Sequence, residues 1–339
     1  MTQHVTDKPQ VASGPAPAGA AIQSNRAIAV SASRFGLPVL LIILIVIFSV
    51  LAPQTFATVT NLRTVLSTQS VLAVLALAAM MTLVIGEFDL SLGAQMGLSA
   101  LLFPGLAANG TLPLPVALIC AILATTLVGL INGILVAKLK INSFIATIGM
   151  AALLSAAVLA YSGGNTIYAG VPPSLLSIAA FAPLGIPGPI IYVAVIALVV
   201  WLLLQRTPFG RWMAAVGGSR DAAKLSGINT DRVTVVTFTL AGVLCGISGV
   251  LLASQLGSGN PAVGPGQLLP AFAAAFLGAT SFRVGQFNVW GTIFAVLTIA
   301  TGVAGLNLLG LPSWVEPAFN GLALIVAVTA TRYLRGKPL

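Results

Sequence analysis

No charged side chain occurs from Asn142 to Gln205, and none from Val233 to Phe282. About a quarter of the residues in a soluble domain are charged, which keeps its surface in water. Here the share is 6%, against 58% hydrophobic. Such a chain has hydrocarbon as its solvent, where each backbone N–H and C=O must be satisfied inside a helix or a closed barrel. The apolar runs are long and continuous rather than alternating over roughly ten residues, so helices are expected. The predicted fold class is an all-α polytopic membrane protein.

The runs cover residues 35–52, 61–85, 90–106, 113–137, 143–161, 189–204, 233–255, 268–280, 289–309 and 315–331. Each approaches or reaches the roughly 20 residues that cross a bilayer, the one from 268 being short, which makes about ten transmembrane helices. Residues 1–34, rich in Ala, Pro, Ser, Gly and Gln, are expected to form a disordered cytoplasmic tail. Run 35–52 follows a basic flank as a signal peptide would, but Pro53 makes a poor cleavage site and an uncleaved first span is expected. With the N-terminus inside, Lys138, Lys140, the cations of 206–232, Arg283, Arg332, Arg335 and Lys337 all fall on the cytoplasmic side, and only Arg63 falls outside. The positive-inside rule therefore puts both termini in the cytoplasm, around a membrane domain of 35–333 and a short tail of 334–339.

A formal net charge of +9 invites a nucleic-acid partner. The basic residues sit singly at the ends of apolar runs, where they set membrane orientation, so no nucleic acid is expected. Cys120 and Cys245 lie inside apolar runs, and the one histidine, His4, is in the N-terminal tail. No metal or cofactor site is expected. No GxxxxGKS/T phosphate loop occurs, since the only Gly-Lys pair, Gly336-Lys337, precedes Pro338. ATP cannot bind by that route.

Three polar stretches interrupt the apolar chain. The longest, 206–232, carries Arg206, Arg211, Arg220, Lys224 and Arg232 with Asp221 and Asp231. Within it, Ala222, Ala223, Leu225 and the Ala214–Ala215 pair would give a short helix a small-residue face for a partner's groove, and Gly227 would end it. A solvated loop helix with no partner is the plainer alternative. The second stretch is GEFDLSLG, from Gly86 to Gly93. Its Glu87 and Asp89 are the only acids between Asp7 and Asp221. An acid near the bilayer centre is costly and usually functional. Alternatively, Asp89 caps the helix after Ser91 from a cytoplasmic turn, with Glu87 at the loop surface. Pairing of Asp89 with Arg283 is a further option. The third stretch, GATSFRVGQFNVWG from Gly278 to Gly291, again sets Gly and polar residues between two spans, as broken helices along transport paths do. Gly129 with Gly133, and Gly242 with Gly246, stand at the spacing that lets helix backbones approach.

These motifs together resemble the permease subunits of ribose-type ABC importers, a carbohydrate branch similar to branched-chain amino-acid permeases. The likeness runs from about Asn61 to Tyr333. GEFDLSLG is similar to the family's Gly-Gly-Ile-Asp-Leu-Ser-Val-Gly, INSFIATIGM to its Pro-Phe-Ile-x-Thr-Leu-Gly, FGRWMAAVGGSRDAAKLSGI to its central loop, and GATSFRVGQFNVWG to its late, more glycine-rich loop. Glu87, Asn142-Ser143, and Arg283 with Gln286-Phe287-Asn288 depart from those patterns. The resemblance implies a permease dimer in the bacterial inner membrane, forming one path for a monosaccharide or related polyol. Two cytoplasmic ATPase subunits, which bind the ATP, would dock on a coupling loop at 205–232, with Arg211, Asp221, Ala222, Ala223, Ser226 and Gly227 as contact candidates. An extracytoplasmic binding protein would deliver substrate to 162–188 and 257–267. Gly86, Glu87, Asp89, Ser91, Phe144, Thr147, Gly278, Ser281 and Arg283 become pathway candidates.

Two other classes remain open from residues alone. An ion-coupled secondary transporter of a small polar solute would carry charged coupling residues in its spans, and most spans here have none. An intramembrane enzyme would need a nucleophile, base or metal ligands there, and the spans hold no histidine.

Overall fold

The computed structural model describes residues 35–335, with side chains described through Thr331. The 1–34 tail and residues 336–339 lie outside the described residues. The described chain is helical, and its one β-type pairing is an isolated bridge between Ile167 and Gly259. Thirteen helices carry the fold among the described residues, besides short turns. They are α1 (Gly36–Leu51), α2 (Val59–Thr68), α3 (Ser70–Val84), α4 (Leu92–Ala107), α5 (Leu114–Ala137), α6 (Ser143–Ser162) and α7 (Gly188–Arg206). Then follow α8 (Pro208–Gly218), α9 (Arg220–Leu225), α10 (Thr230–Leu256), α11 (Leu268–Gly278), α12 (Val289–Leu308) and α13 (Val315–Arg335). Six helical segments, counting α2 and α3 as one, are long and apolar enough to cross a membrane.

The core is built around α3, whose residues from Ser70 to Leu83 are all buried. A helix apolar all round belongs inside a bundle. In lipid, however, apolarity alone draws no helix inward; close van der Waals packing of small side chains does. Helices α7, α10, α11 and α12 surround α3, while α1, α5, α6, α7 and α13 turn large aliphatic side chains outward.

The paired glycines show why the sequence packs this way. A Cβ added at Gly129 of α5 would lie 3.2 Å from the Cα of Gly242 on α10, and Gly246 meets Ile122 and Thr125. The two small-xxx-small stretches therefore face each other and let the backbones touch.

One crossing differs from the expected run. Segment 257–267, expected wholly on the outer face, descends along α4. Gly259 lies against Leu101 and Pro104, and Gly264 against Gly97 and Gly93, where an added Cβ on Gly93 would sit 2.7 Å from the Gly264 carbonyl. Eleven residues of α4 correspond to about 16 Å of depth at 1.5 Å per residue. Leu268, the first residue of α11, also meets Gly93, so the short α11 starts beside the first turn of α4. Non-helical backbone at that depth is tolerated because it is packed against protein.

Candidate functional site

Between α3 and α4 the chain is irregular, and here the acidic motif sits. Gly86, with φ of 80°, turns the backbone out of α3. Two residues of α6 then hold the open segment: the Phe88 N–H donates to Ser143 Oγ at 3.3 Å, and the Leu90 N–H donates to Thr147 Oγ1 at 2.9 Å. Phe88 packs among Phe272 and Phe276 of α11. Thr147 and Ser143 are buried, whereas Phe144 is exposed and does not face this segment.

Asp89 is fully buried, not in a solvated turn. The backbone N–H and hydroxyl of Ser91 donate to its Oδ1 at 2.9 and 2.6 Å, and Gln95 Nε2 donates to its Oδ2 at 3.3 Å. Gln95 Nε2 and Asn132 Nδ2 also donate to Ser91 Oγ, at 2.8 and 2.9 Å. The carboxylate closes a turn two residues ahead of α4, whose N-cap position is Ser91 with no side-chain cap bond. Among the described residues Asp89 makes no ion pair with Arg283. Donors on Ser91 and on Gln95 of α4, not a cation, surround the buried carboxyl.

Glu87 is not a free surface acid. Its Oε1 lies 2.9 Å from Nη1 of Arg220, at the start of α9. Arg220 also reaches Asp231 at 3.4 Å, and Asp231 pairs with Lys140 at 2.6 Å. This half-buried chain of charges joins the acidic motif, the turn after α5, the polar handle and the base of α10. The sequence reading missed Arg220 as Glu87's partner, because 133 positions separate them.

The handle is two helices, not one. Thr207 caps α8, with Pro208 next, and Ser219 breaks the chain and caps α9 by accepting from the Ala222 N–H at 3.3 Å. Gly227, with φ of 81°, ends α9. Of the two alanines expected to face a partner, Ala223 is 4% exposed and packs on the body of the chain. Ala222 is exposed with Asp221, Ser226 and Arg211, and Leu225, absent from the contact candidates, projects at 90% exposure. Of the expected face, Ala222 and Leu225 stay outward and Ala223 alone turns in, because the register of α9 is set by packing on α8 and α10, which local spacing does not reveal.

The third stretch is organised by Asn288, which the sequence reading quoted only as a departure. Its Oδ1 accepts the Gly291 N–H at 2.7 Å, capping α12, and its Nδ2 donates to the carbonyls of Gly278, Ser281 and Gln286 at 3.0–3.2 Å. An Asn just ahead of an apolar run is a readable capping signal. Gly278 lies against Gly291 and Thr292, and Ser281 is buried. Arg283 is exposed; with Arg211, Gly217 and Gln286 it lines a cavity of about 550 Å³ beside α8.

A bundle interrupted at two places, with a charged handle bonded to one of them, is the build of a membrane permease. Residues 61–328 match the family described as the permease component of the branched-chain amino acid transport system, and the chain belongs to that family. It is similar to the ribose import permease RbsC of Haemophilus influenzae, 35% identical over 88% of this chain and 93% of that protein. The RbsC of Bacillus subtilis is 36% identical over 86% of this chain and 90% of its own. The D-allose transport system permease AlsC of Escherichia coli is 31% identical over 89% and 92%. No solved structure matches the chain significantly. The chain is a multi-pass permease subunit of the bacterial inner membrane.

Proposed function

We propose that the chain forms the membrane path for a neutral monosaccharide or related polyol, ribose-like or hexose, in an ATP-driven importer. The observation that carries this is the likeness, over most of both lengths, to permeases named for ribose and D-allose. A second permease subunit completes the path, two ATPase subunits bind the ATP, and an extracytoplasmic binding protein delivers the sugar.

Ten crossings with both termini cytoplasmic accommodate the helices. Trp201 and Trp290 meet at 6.5 Å between ring centroids, with Arg206 over Trp201 at 5.6 Å, as interfacial aromatics and a cation do at one membrane surface. The ATPase side is α8 and α9, where Ala222 and Leu225 offer an exposed apolar spot. Opposite it, 162–188 is tied to 257–267 by mutual Ile167 and Gly259 backbone bonds of 2.8 Å and exposes Tyr168, Phe181 and Leu184. Apolar side chains so exposed suit a protein partner. The ion chain from α9 to Glu87 supplies a mechanical link by which motion of the handle reaches the broken segment at Asp89.

The test is co-purification with an ATPase subunit, followed by uptake of D-ribose and D-allose into vesicles holding the reconstituted complex. Uptake requiring ATP and the binding protein is expected. Uptake driven by an ion gradient without ATP would overturn the reading.

A further inference from the structure

A second cavity, of about 390 Å³, opens beside the first turn of α13, apart from the acidic motif and the handle. Ser313 and the exposed Glu316 stand at its rim. Gln69, at the junction of α2 and α3, and Gln267, the residue ahead of α11, line its walls with Ile299 and Val303 of α12. Asn320, one turn beyond Glu316, also lines it; this residue is 8% exposed, and its Oδ1 is buried without a hydrogen-bond partner.

An unpaired buried amide oxygen is destabilising, so a packed bundle that keeps one beside a cavity calls for a ligand that donates to it. The volume lies within the roughly 300–1,000 Å³ of small-molecule sites. Three primary amides offer donors and acceptors together, and the carboxylate of Glu316 adds acceptors. No cation lines the cavity, which disfavours a phosphorylated or otherwise anionic solute, and Ile299 and Val303 offer an apolar wall to the C–H face of a ring. The position fits a path too. Gln267 lies at the inner end of the arm that descends along α4, and Pro265 and Gly266 of that arm line the cavity with it.

We propose that this cavity is a station for a neutral polyhydroxylated solute passing through the permease, in which Asn320 Oδ1 accepts from a hydroxyl. The proposal rests on the importer reading and adds the residues that contact the solute within the membrane.

Two measurements on the full complex test it. In a chain with Cys120→Ala and Cys245→Ala, Gln267→Cys and Asn320→Cys should react with a membrane-impermeant thiol reagent added outside. Failure of both to react would overturn the cavity as an outward-facing station, whatever the substrate is. In vesicles, Asn320→Leu, close in size but without hydrogen-bonding groups, should keep binding-protein-stimulated ATP hydrolysis within about twofold of wild type, while D-ribose moved per ATP falls at least about fivefold, the scale of one lost hydrogen bond. A wild-type ratio in Asn320→Leu would overturn the contact. Should Asn320→Leu fail to insert, Gln69→Ala takes its place with the same expectation and the same refuting result. A wild-type complex that hydrolyses ATP but moves neither D-ribose nor D-allose would refute the importer's substrate class, and the labelling arm would still decide the cavity.

Discussion

Replacing Asp89 by Asn and by Ala separates the need for an acceptor from the need for a charge. Asp89 Oδ1 takes both the N–H and the hydroxyl of Ser91, and Oδ2 takes Gln95 Nε2. In Asp89→Ala the N–H and the hydroxyl of Ser91 both lose their acceptor, while Gln95 Nε2 keeps its bond to Ser91 Oγ. Each buried donor left unpaired costs about 1–3 kcal/mol, so two put the loss at roughly 2–6 kcal/mol. Asn keeps the oxygen facing Ser91 but sets an amide nitrogen against Gln95 Nε2. Gln95 can answer by turning its Oε1, which is buried and unpartnered, toward that nitrogen. The exchange gives up the Gln95 bond to Ser91 Oγ and costs about 1 kcal/mol, the net worth of one hydrogen bond. Thermal stability of the detergent-solubilised permease and its membrane abundance read both variants. Asp89→Asn should sit close to wild type, and Asp89→Ala should melt far lower. Equal losses in the two would show that the charge itself is required, and the acceptor argument would fail.

Glu87→Gln should cost about 1 kcal/mol of stability, the upper end for partly exposed ion pairs, yet lower binding-protein-stimulated ATP hydrolysis; exchanging Glu87 and Arg220 should restore part of it, and unaltered stimulation in Glu87→Gln would argue against the link. Ala222→Arg and Leu225→Asp should weaken ATPase co-purification while the permease stays folded, whereas Ala223→Arg, which forces a charge into a packed site, should lower the permease's own stability; a stable Ala223→Arg that merely sheds the ATPase would contradict the burial. Reporters fused after Ala169 and Gly259 should report extracytoplasmic positions and those after Ser219 and Arg335 cytoplasmic ones, and a cytoplasmic signal at Ala169 would remove the ten-crossing topology.

Much of the architecture was legible in composition because the bilayer is an exacting solvent. Charge-free runs had to become helices, and the glycine spacing of α5 and α10 predicted a close approach that the two helices make with each other. The polar interruptions were legible as well, since a Gly- and acid-bearing stretch between apolar runs cannot continue a helix unnoticed. What stayed hidden was each side chain's direction. Nothing within GEFDLSLG says that Glu87 turns to a cation in a distant loop while Asp89, two residues on, turns into the bundle. Spacing along α9 could not tell which alanine faces out, because six residues packed on two longer helices take their register from those helices. Asn320 and Gln95 were visible as polar residues within apolar runs, but only packing made their oxygens buried and unpaired. The fall of 257–267 along α4 depends on Gly93, Gly97 and Gly264 meeting without Cβ atoms. Local composition thus determined what must be helix and what must break. The tertiary structure alone decided which broken segment meets which charge and where a cavity remains, because those contacts join residues that no local period connects.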